Sequence, residues 1–396
     1  MMRAAGAAQC GALLAPAARR RGRELAFWLV LVALVVGVSE GAAALASAIL
    51  VARGAMAAIP RLGDDEIALA LERRSAQLGW GPATDAIGRV LHPAARRDPA
   101  FPPERRPCAS VYGDSFTLGA ADNATYPHHL ALALGCPVAN FGVGGYGSDQ
   151  ALMLFRAQRV ADRTPVVLLA HLSENVMRNV NQCQRLLYPA SRIRFKPRFL
   201  LDGDALRAIP VPVATAADYR RVAAEPGTML AHDAFLARPR PHFPYTVQLL
   251  RWLVSDSYAQ ARLHREPWHA AFYRSDHPSG ALDLTTRILS EFVREAGADG
   301  RTPLIVLIAT RSDLDYARRT GRWAYRPLVD ALDAAHVPVV DTGPLVRAAL
   351  GASDLAPFFV ADGHPSGAGY AVLGRVLAGE VERRGIAGIA RAGTAS

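Results

Sequence analysis

The most hydrophobic stretch of the chain lies near its N-terminus. Residues 25–52 are almost uniformly apolar, with Glu40 as their one charged residue, and a cluster of arginines lies just before them in residues 18–24. An apolar run of this length can cross a bilayer, and arginines beside it favour the cytoplasmic side. The pattern predicts a cytoplasmic basic tail at 1–24 and a single transmembrane anchor at 25–52 in the inner (cytoplasmic) membrane. The remaining chain then lies on the periplasmic or extracellular side.

Two details of this segment concern its position in the membrane and its possible cleavage. We expect Glu40 near the outer interface, where its carboxylate can reach water. The small residues of "ALASA" (44–48) also fit the cleavage site of a signal peptide, so removal of the N-terminal helix stays open as the alternative. In both cases the bulk of the chain is exported.

Beyond the anchor, residues 53–106 show a short helical pattern and then become rich in Pro, Arg and Ala, which predicts a juxtamembrane spacer partly wrapped on the following domain. From residue 107 to 396, short apolar runs alternate with helix-like segments, as in βαβ units. Their continuous hydrophobicity is typical of parallel strands covered by helices on both faces. The pattern predicts strands at 108–113, 137–142, 165–172, 303–310 and 337–342, and helices at 125–134, 148–161, 281–296, 324–335 and 367–384.

The connection between the third and fourth predicted strands is too long for a simple crossover. Residues 176–280 contain an Asp202-Gly203 turn between alternating runs, which predicts a hairpin, and a helix-like stretch at 245–263. We interpret this segment as an insertion over the carboxyl edge of the sheet, where ligand sites of open α/β sheets lie. We therefore expect the insertion to determine which substrate the protein accepts.

The composition narrows the possible partners and cofactors. The formal net charge is +10, carried almost entirely by arginines, with Lys196 as the sole lysine. No run interleaves basic and aromatic residues, so nucleic-acid binding is not expected. Cysteines and histidines do not have metal-ligand spacing, so no metal or organic cofactor is expected either. Cys108 and Cys136 precede neighbouring predicted strands, which makes a disulfide possible in an exported protein, with free buried thiols as the alternative.

Five candidate site residues follow four different predicted strands and therefore converge on one sheet edge. Ser115, in "GDSFTLG", lies on a tight turn after the first strand, which exposes its hydroxyl as a nucleophile. Gly145, in "NFGVGG", follows the second strand, and Asn175, in "SEN", follows the third; both can offer N–H donors to a developing oxyanion. Asp362 and His364, in "DGHPSGAG", are close enough for the carboxylate to orient the imidazole. Their convergence predicts acyl transfer through a Ser-His-Asp set.

The tetrapeptide "HPSG" occurs twice, so His277 competes with His364 as the base. Both copies resemble helix-entry turns. We place His364 at the edge that carries Ser115. We place His277, which precedes the helix before the fourth strand, at the far end of the sheet unless the insertion folds it back. His364 is the predicted base and His277 a structural or substrate-contacting residue.

These blocks resemble those of the SGNH (GDSL-type) hydrolase superfamily. The resemblance implies a flavodoxin-like three-layer α/β/α sandwich in which Ser115 attacks an acyl carbonyl, His364 is the base and Asp362 orients it. The N–H groups of Ser115 and Gly145 and the amide of Asn175 then form the oxyanion hole. The third block departs from its usual G-x-N-D form at Ser173 and Val176. The D-x-H spacing of the last block is similar to that of the alginate acetyltransferase-like branch of the superfamily.

The leading functional hypothesis is an exported serine esterase that removes O-acyl groups, O-acetyl above all, from an acylated carbohydrate of the cell envelope or a secreted polysaccharide. A polysaccharide O-acetyltransferase that uses the same site is the second hypothesis, and a noncatalytic glycan-binding assembly protein is the third. Each of the three fits a role in envelope polysaccharide machinery. A lysophospholipase or thioesterase is less favoured, since the insertion shows no long apolar stripe suited to a lipid.

Overall fold

The computed structural model describes residues 10–60, 62–81, 98–121 and 123–386. Helix α1 runs without a break over Cys10–Ala52. Its portion Arg21–Ala52 is long and apolar enough to cross a membrane, although a signal sequence near the N-terminus has the same properties. The first nine residues of the predicted basic tail and the last ten residues of the predicted domain lie outside the described residues.

The predicted spacer folds onto the domain in its first half. Helix α2 (Asp64–Glu72) is followed by a short hairpin of strands β1 (Arg74–Ser75) and β2 (Gly79–Trp80). The Trp80 indole donates a hydrogen bond to the Gly144 carbonyl at 2.9 Å, and the Tyr146 hydroxyl donates to the Trp80 carbonyl at 2.7 Å. Residues 64–80 are therefore part of the domain wall; residues 82–97 lie outside the described part of the chain.

A parallel sheet of five strands forms the centre of the domain. When its five strands are numbered in chain order, their spatial order is 2-1-3-4-5, which is that of flavodoxin-like folds. Every residue of the first three of these strands is buried, as their continuous apolar sequence predicts. The strands, with the insertion's hairpin, are β3 (Ala109–Gly113), β4 (Val138–Gly142), β5 (Val166–Leu172), β6 (Arg198–Asp202), β7 (Ala205–Ile209), β8 (Thr302–Ile308) and β9 (Val339–Asp341).

Helices cover both faces of the sheet and divide its core in two. On one face, Val111 and Leu168 pack with side chains of the helices Tyr126–Leu134 and Gly367–Arg383. On the other face, Tyr112 and Leu169 pack with side chains of the helices Ser148–Gln158 and Ala281–Ala298. The predicted α/β/α sandwich is therefore confirmed. The remaining helices are α3 (Ser115–Leu118), α4 (Tyr126–Leu134), α5 (Ser148–Gln158), α6 (Asn175–Arg178), α7 (Gln184–Leu187), α8 (Ala216–Ala224), α9 (Pro226–Met229), α10 (Tyr245–Ser255), α11 (Ser257–His264), α12 (Ala281–Ala298), α13 (Arg311–Thr320), α14 (Arg326–Ala334), α15 (Thr342–Leu350) and α16 (Gly367–Arg383).

The insertion packs at the carboxyl edge of the sheet. The Tyr273 hydroxyl donates to the Ser173 carbonyl just after β5, and the Lys196 ammonium pairs with Asp149 in the first turn of α5. The predicted hairpin forms as β6 and β7. The helix-like stretch at 245–263 is two helices, because the Asp256 carboxylate accepts hydrogen bonds from the N–H groups of Tyr258 and Ala259 and begins α11 there.

Helix α10 of the insertion lies against the outer half of α1. Glu40 accepts hydrogen bonds from the backbone N–H groups of Tyr245 and Thr246 at 2.5 and 3.3 Å, so its carboxylate caps the N-terminus of α10. Glu40 is partly exposed between the two helices, so the expectation that its carboxylate reaches water near the outer interface stays a prediction.

The surface of α10 also corrects the expectation that the insertion has no apolar stripe. Large apolar side chains of this helix and its flanks face outward beside the exposed Leu45 and Ile49 of α1. They are Phe243, Val247, Leu250, Leu253 and Val254. Their spacing follows the turns of one helix, so they form one continuous face, which we call the α10 apolar face.

Cys108 and Cys136 form a disulfide with their Cα atoms 6.0 Å apart. It connects the entry of β3 to the end of α4, next to the edge strand β4. Cys183 is a free, buried thiol.

Candidate active site

Ser115 is the first residue of α3 and lies on a tight turn at the carboxyl end of β3. The Asp114 carboxylate accepts a hydrogen bond from the Phe116 N–H at 2.9 Å and begins the helix. A side chain at Gly113 would lie 2.2 Å from the Thr117 hydroxyl and 3.1 Å from the Ala170 methyl. Only glycine fits there, which explains why the nucleophile turn can fold back tightly onto the sheet.

His364 contacts both partners that the sequence assigns to it. Its Nε2 lies 2.9 Å from Ser115 Oγ, and its Nδ1 lies 3.0 Å from Asp362 Oδ1. The loop that presents it is closed by the Val360 N–H, which donates to the His364 carbonyl at 2.8 Å. The ring centroids of His364 and Phe116 are 4.9 Å apart. Ser115, His364 and Asp362 therefore form one hydrogen-bonded chain.

This chain of side chains is open to solvent. The His364 side chain is 34% exposed and that of Asp362 is 70% exposed. Hydrogen bonds from the backbone N–H and the side chain of His364 lower the pKa of the Asp362 carboxyl. Asp362 is therefore ionised at neutral pH and accepts from the imidazole, although water screens its charge. A site this open is accessible to a bulky substrate.

Gly145 and Asn175 lie on opposite sides of Ser115, because β4 and β5 both pair with β3. Gly145 has a φ of +83°, a conformation that suits glycine. Asn175 is fully buried, and its Oδ1 has no hydrogen-bond partner among the described residues. No hydrogen bond within the described residues joins either of them to Ser115 directly, so their predicted donor role stays a prediction.

His277 forms no hydrogen bond with Ser115 within the described residues. Its Nδ1 lies 2.7 Å from the Ser279 hydroxyl, and its ring packs on Phe272 with centroids 4.3 Å apart. Its predicted position at the far end of the sheet is wrong, however. Helix α12 runs back along β8, so it begins at the carboxyl edge, where Asn179 donates to the Thr285 hydroxyl at 2.9 Å.

A buried polar network that the sequence did not predict supports the loop before Asn175. Ser173 donates to Asp313, and His269 Nε2 lies 2.8 Å from the other oxygen of that carboxylate. Burial lowers the pKa of His269, but the attraction of Asp313 outweighs it and the net shift is upward. Burial likewise opposes ionisation of Asp313, and the His269 charge with its hydrogen bonds keeps the carboxyl pKa low. This network gives Ser173, which replaces glycine in the third block, a structural role.

Arg178 is a second residue that the motifs did not reveal. One of its guanidinium nitrogens lies 3.0 Å from the Asp114 carboxylate and 3.1 Å from the Tyr146 carbonyl. It therefore connects the nucleophile turn to the glycine-rich segment 143–147 after β4, which we call the glycine loop. The only sequence signal is its position one helical turn after Asn175. Nowhere in the described parts of the chain do three or more His, Cys, Asp or Glu side chains cluster as metal ligands.

Comparison with known proteins finds matches among solved structures, at low sequence identity and low TM-score. No protein-family model and no curated protein matches the sequence. Among solved structures, a lipase/acylhydrolase from Enterococcus faecalis is 14% identical with a TM-score of 0.35, over 70% of this chain and 97% of that one. A protein assigned to the G-D-S-L family of lipolytic proteins, from Desulfitobacterium hafniense, is 12% identical with a TM-score of 0.32, over 68% and 97%. A protein assigned as an SGNH hydrolase, from Slackia heliotrinireducens, is 14% identical with a TM-score of 0.31, over 68% and 96%.

Proposed function

We propose that this protein is an SGNH-type serine esterase that removes O-acyl groups, O-acetyl above all, from a cell-envelope or secreted polysaccharide. The observation that carries the proposal is the hydrogen-bonded chain of Ser115, His364 and Asp362 at the carboxyl edge of the sheet. Its openness to solvent supports a polymeric substrate.

The geometry supports a two-step mechanism. Ser115 Oγ attacks the acyl carbonyl while its proton passes to His364 Nε2, and Asp362 stabilises the imidazolium that forms. The N–H groups of Ser115 and Gly145 and the Asn175 amide then stabilise the oxyanion. The imidazolium protonates the leaving sugar oxygen, which leaves an acyl-enzyme. Water attacks this ester with His364 again as base, and release of the carboxylic acid restores the Ser115 hydroxyl.

The function is tested with purified full-length protein in detergent and an O-acetylated polysaccharide. We expect release of acetate at a rate that depends on Ser115, with an aryl acetate as the small reporter substrate. Addition of a deacetylated polysaccharide separates the two enzymatic hypotheses: new acetyl groups on the acceptor identify an O-acetyltransferase, and unchanged acceptor identifies an esterase. Binding of the polysaccharide without turnover of any ester would contradict the proposal and favour the noncatalytic glycan-binding protein.

For localisation, we propose a single-pass protein of the inner membrane whose catalytic domain lies on the periplasmic or extracellular side. The exposed apolar surface of α1 and the α10 apolar face support this placement, since they adjoin each other and face outward together. In this arrangement the α10 apolar face lies in the acyl-chain region of the leaflet next to the domain.

The membrane position of α10 is tested by fluorescence quenching in liposomes. Val254 lies on the α10 apolar face and is 71% exposed, and Val160 after α5 is 73% exposed, so Val254→Cys and Val160→Cys in a Cys10→Ser background are matched labelling sites. We expect lipids brominated on their acyl chains to quench a fluorophore at position 254 and not one at position 160. Equal quenching at both positions, or none at 254, would contradict the membrane contact of α10.

A further inference from the structure

A large cavity opens beside the glycine loop that follows β4. Its volume is about 920 Å³. One wall comes from residues 66–81, a second from residues 185–195 of the insertion, and the floor includes Leu118 and Gly144. Leu118 ends the helix that begins with Ser115, and Gly144 precedes the predicted oxyanion donor. The cavity is therefore next to the candidate active site.

The lining of this cavity is strongly basic. Five arginines contribute to it against two carboxylates, Glu66 and Glu72. Arg185 forms an ion pair with Glu66, and Arg74 donates a hydrogen bond to the Val213 carbonyl at 2.8 Å. The other three are Arg73, Arg192 and Arg194. An excess of positive charge in a concave site favours an anionic ligand.

Arg194 is the most constrained of these cations. Its guanidinium packs over the Trp80 ring, 5.2 Å from the centroid, and one nitrogen lies 3.4 Å from the Gly144 carbonyl. Among the described residues, no carboxylate forms an ion pair with it. Burial, followed by the charges of Arg192 and Arg73, lowers its pKa. A half-buried cation without a counter-ion is costly for the protein and is stabilised when an anion binds.

Arg194 also lies against Gly145 in the glycine loop. A Cβ built on Gly145 would lie 3.4 Å from a guanidinium nitrogen of Arg194 and 3.5 Å from the Trp80 ring. An anionic group held by Arg194 is therefore within reach of the same substrate molecule whose ester lies at Ser115.

We propose that this cavity binds a carboxylate or phosphate group of the ester substrate through Arg194, so that the enzyme prefers O-acyl esters of anionic glycans. This inference rests on the proposed ester-cleaving function. Guanidinium groups suit both anions because their planar N–H fork matches two oxygens at once.

The test compares three O-acetylated polymers as substrates of the full-length protein: a uronate polymer, a glycerol-phosphate polymer and a neutral glucan. We expect the wild type to prefer one or both anionic polymers over the glucan in kcat/KM. Arg194→Gln should lower that preference about tenfold, mainly through KM, since a charged hydrogen-bonding partner is lost. Arg194→Lys should retain part of it. The exposed Arg322→Gln is the matched control and should leave the preference unchanged.

The outcomes separate the substrate inference from the function. Preference for the uronate or for the phosphate polymer identifies which anion is recognised. A wild type that prefers the neutral glucan, or an Arg194→Gln variant with the wild-type preference, would overturn the inference while the esterase assignment stands. If no ester is turned over at all, calorimetric titration with the deacetylated anionic polymers decides: equal binding by wild type and Arg194→Gln also overturns the anion site.

Discussion

Ser115→Ala is expected to lower kcat for aryl acetate hydrolysis by about a thousandfold or more, and His364→Ala should do nearly the same. The reason is the 2.9 Å contact between Ser115 Oγ and His364 Nε2, which makes the two side chains one nucleophile–base unit. Because they act together, the double variant should be little worse than either single one. Steady-state rates on the detergent-solubilised full chain measure this effect.

The chain offers one control variant and contains one competing serine–histidine pair. His277→Ala should keep at least half of the activity, because its imidazole bonds to Ser279 and not to Ser115. A second serine–histidine contact joins Ser148 to His171 at 2.7 Å, but both residues are fully buried, and burial lowers the pKa of His171 to about 3. Such an imidazole is a poor base at neutral pH. Activity that survives Ser115→Ala, or that is lost only with His277→Ala, would overturn the assignment.

The central sheet could be predicted from the sequence because its strands are buried on both faces and are therefore continuously apolar. Helices α13 and α15 were not predicted. In α13 the buried residues are Asp313, Leu314 and Ala317 alone, and its remaining polar surface resembles a loop. The fold of the insertion depends on buried polar contacts between distant residues. Asp233 accepts from the N–H groups of Gln182 and Cys183 at 2.7 Å, a contact that hydrophobic periodicity cannot reveal.

In the site, too, residues marked by a local sequence pattern were predicted, and residues placed by contacts between distant parts of the chain were missed. Ser115 and His364 lie in short motifs at the ends of predicted elements, so chain topology alone was enough to bring them together. Arg194 is fifty residues away from the Gly144 carbonyl that it faces, and no motif surrounds it. The error over His277 had a geometric origin: a helix that precedes a parallel strand begins at the carboxyl edge of the sheet.

The second large effect is expected at Lys196, which is the sole lysine of the chain and is buried within the insertion. Its ammonium pairs with the fully buried Asp149 at the start of α5 and donates to the carbonyls of Asn181 and Pro197 at 3.2 and 3.1 Å. Burial lowers the pKa of Lys196, and the Asp149 charge opposes this shift. The pair therefore fixes the insertion to the glycine loop side of the domain.

Lys196→Met keeps the length of the side chain but leaves the Asp149 carboxylate buried without its partner. We expect the free energy of unfolding to fall by about 3 kcal/mol, at the lower end of the range for broken buried pairs, because Arg198 lies near Asp149 and compensates in part. Urea titration of the full chain in detergent measures the loss. Arg220→Ala removes the exposed pair with Asp64 and should produce no measurable change.

A double-mutant cycle distinguishes an unpaired buried charge from a simple packing defect. If the unpaired Asp149 carboxylate causes the loss, the double variant Lys196→Met/Asp149→Asn should lose less stability than the sum of the two single changes, because no charge is then left without its partner. Two single losses that simply add up in the double variant would show that the loss of packing, and not the buried charge, causes the destabilisation.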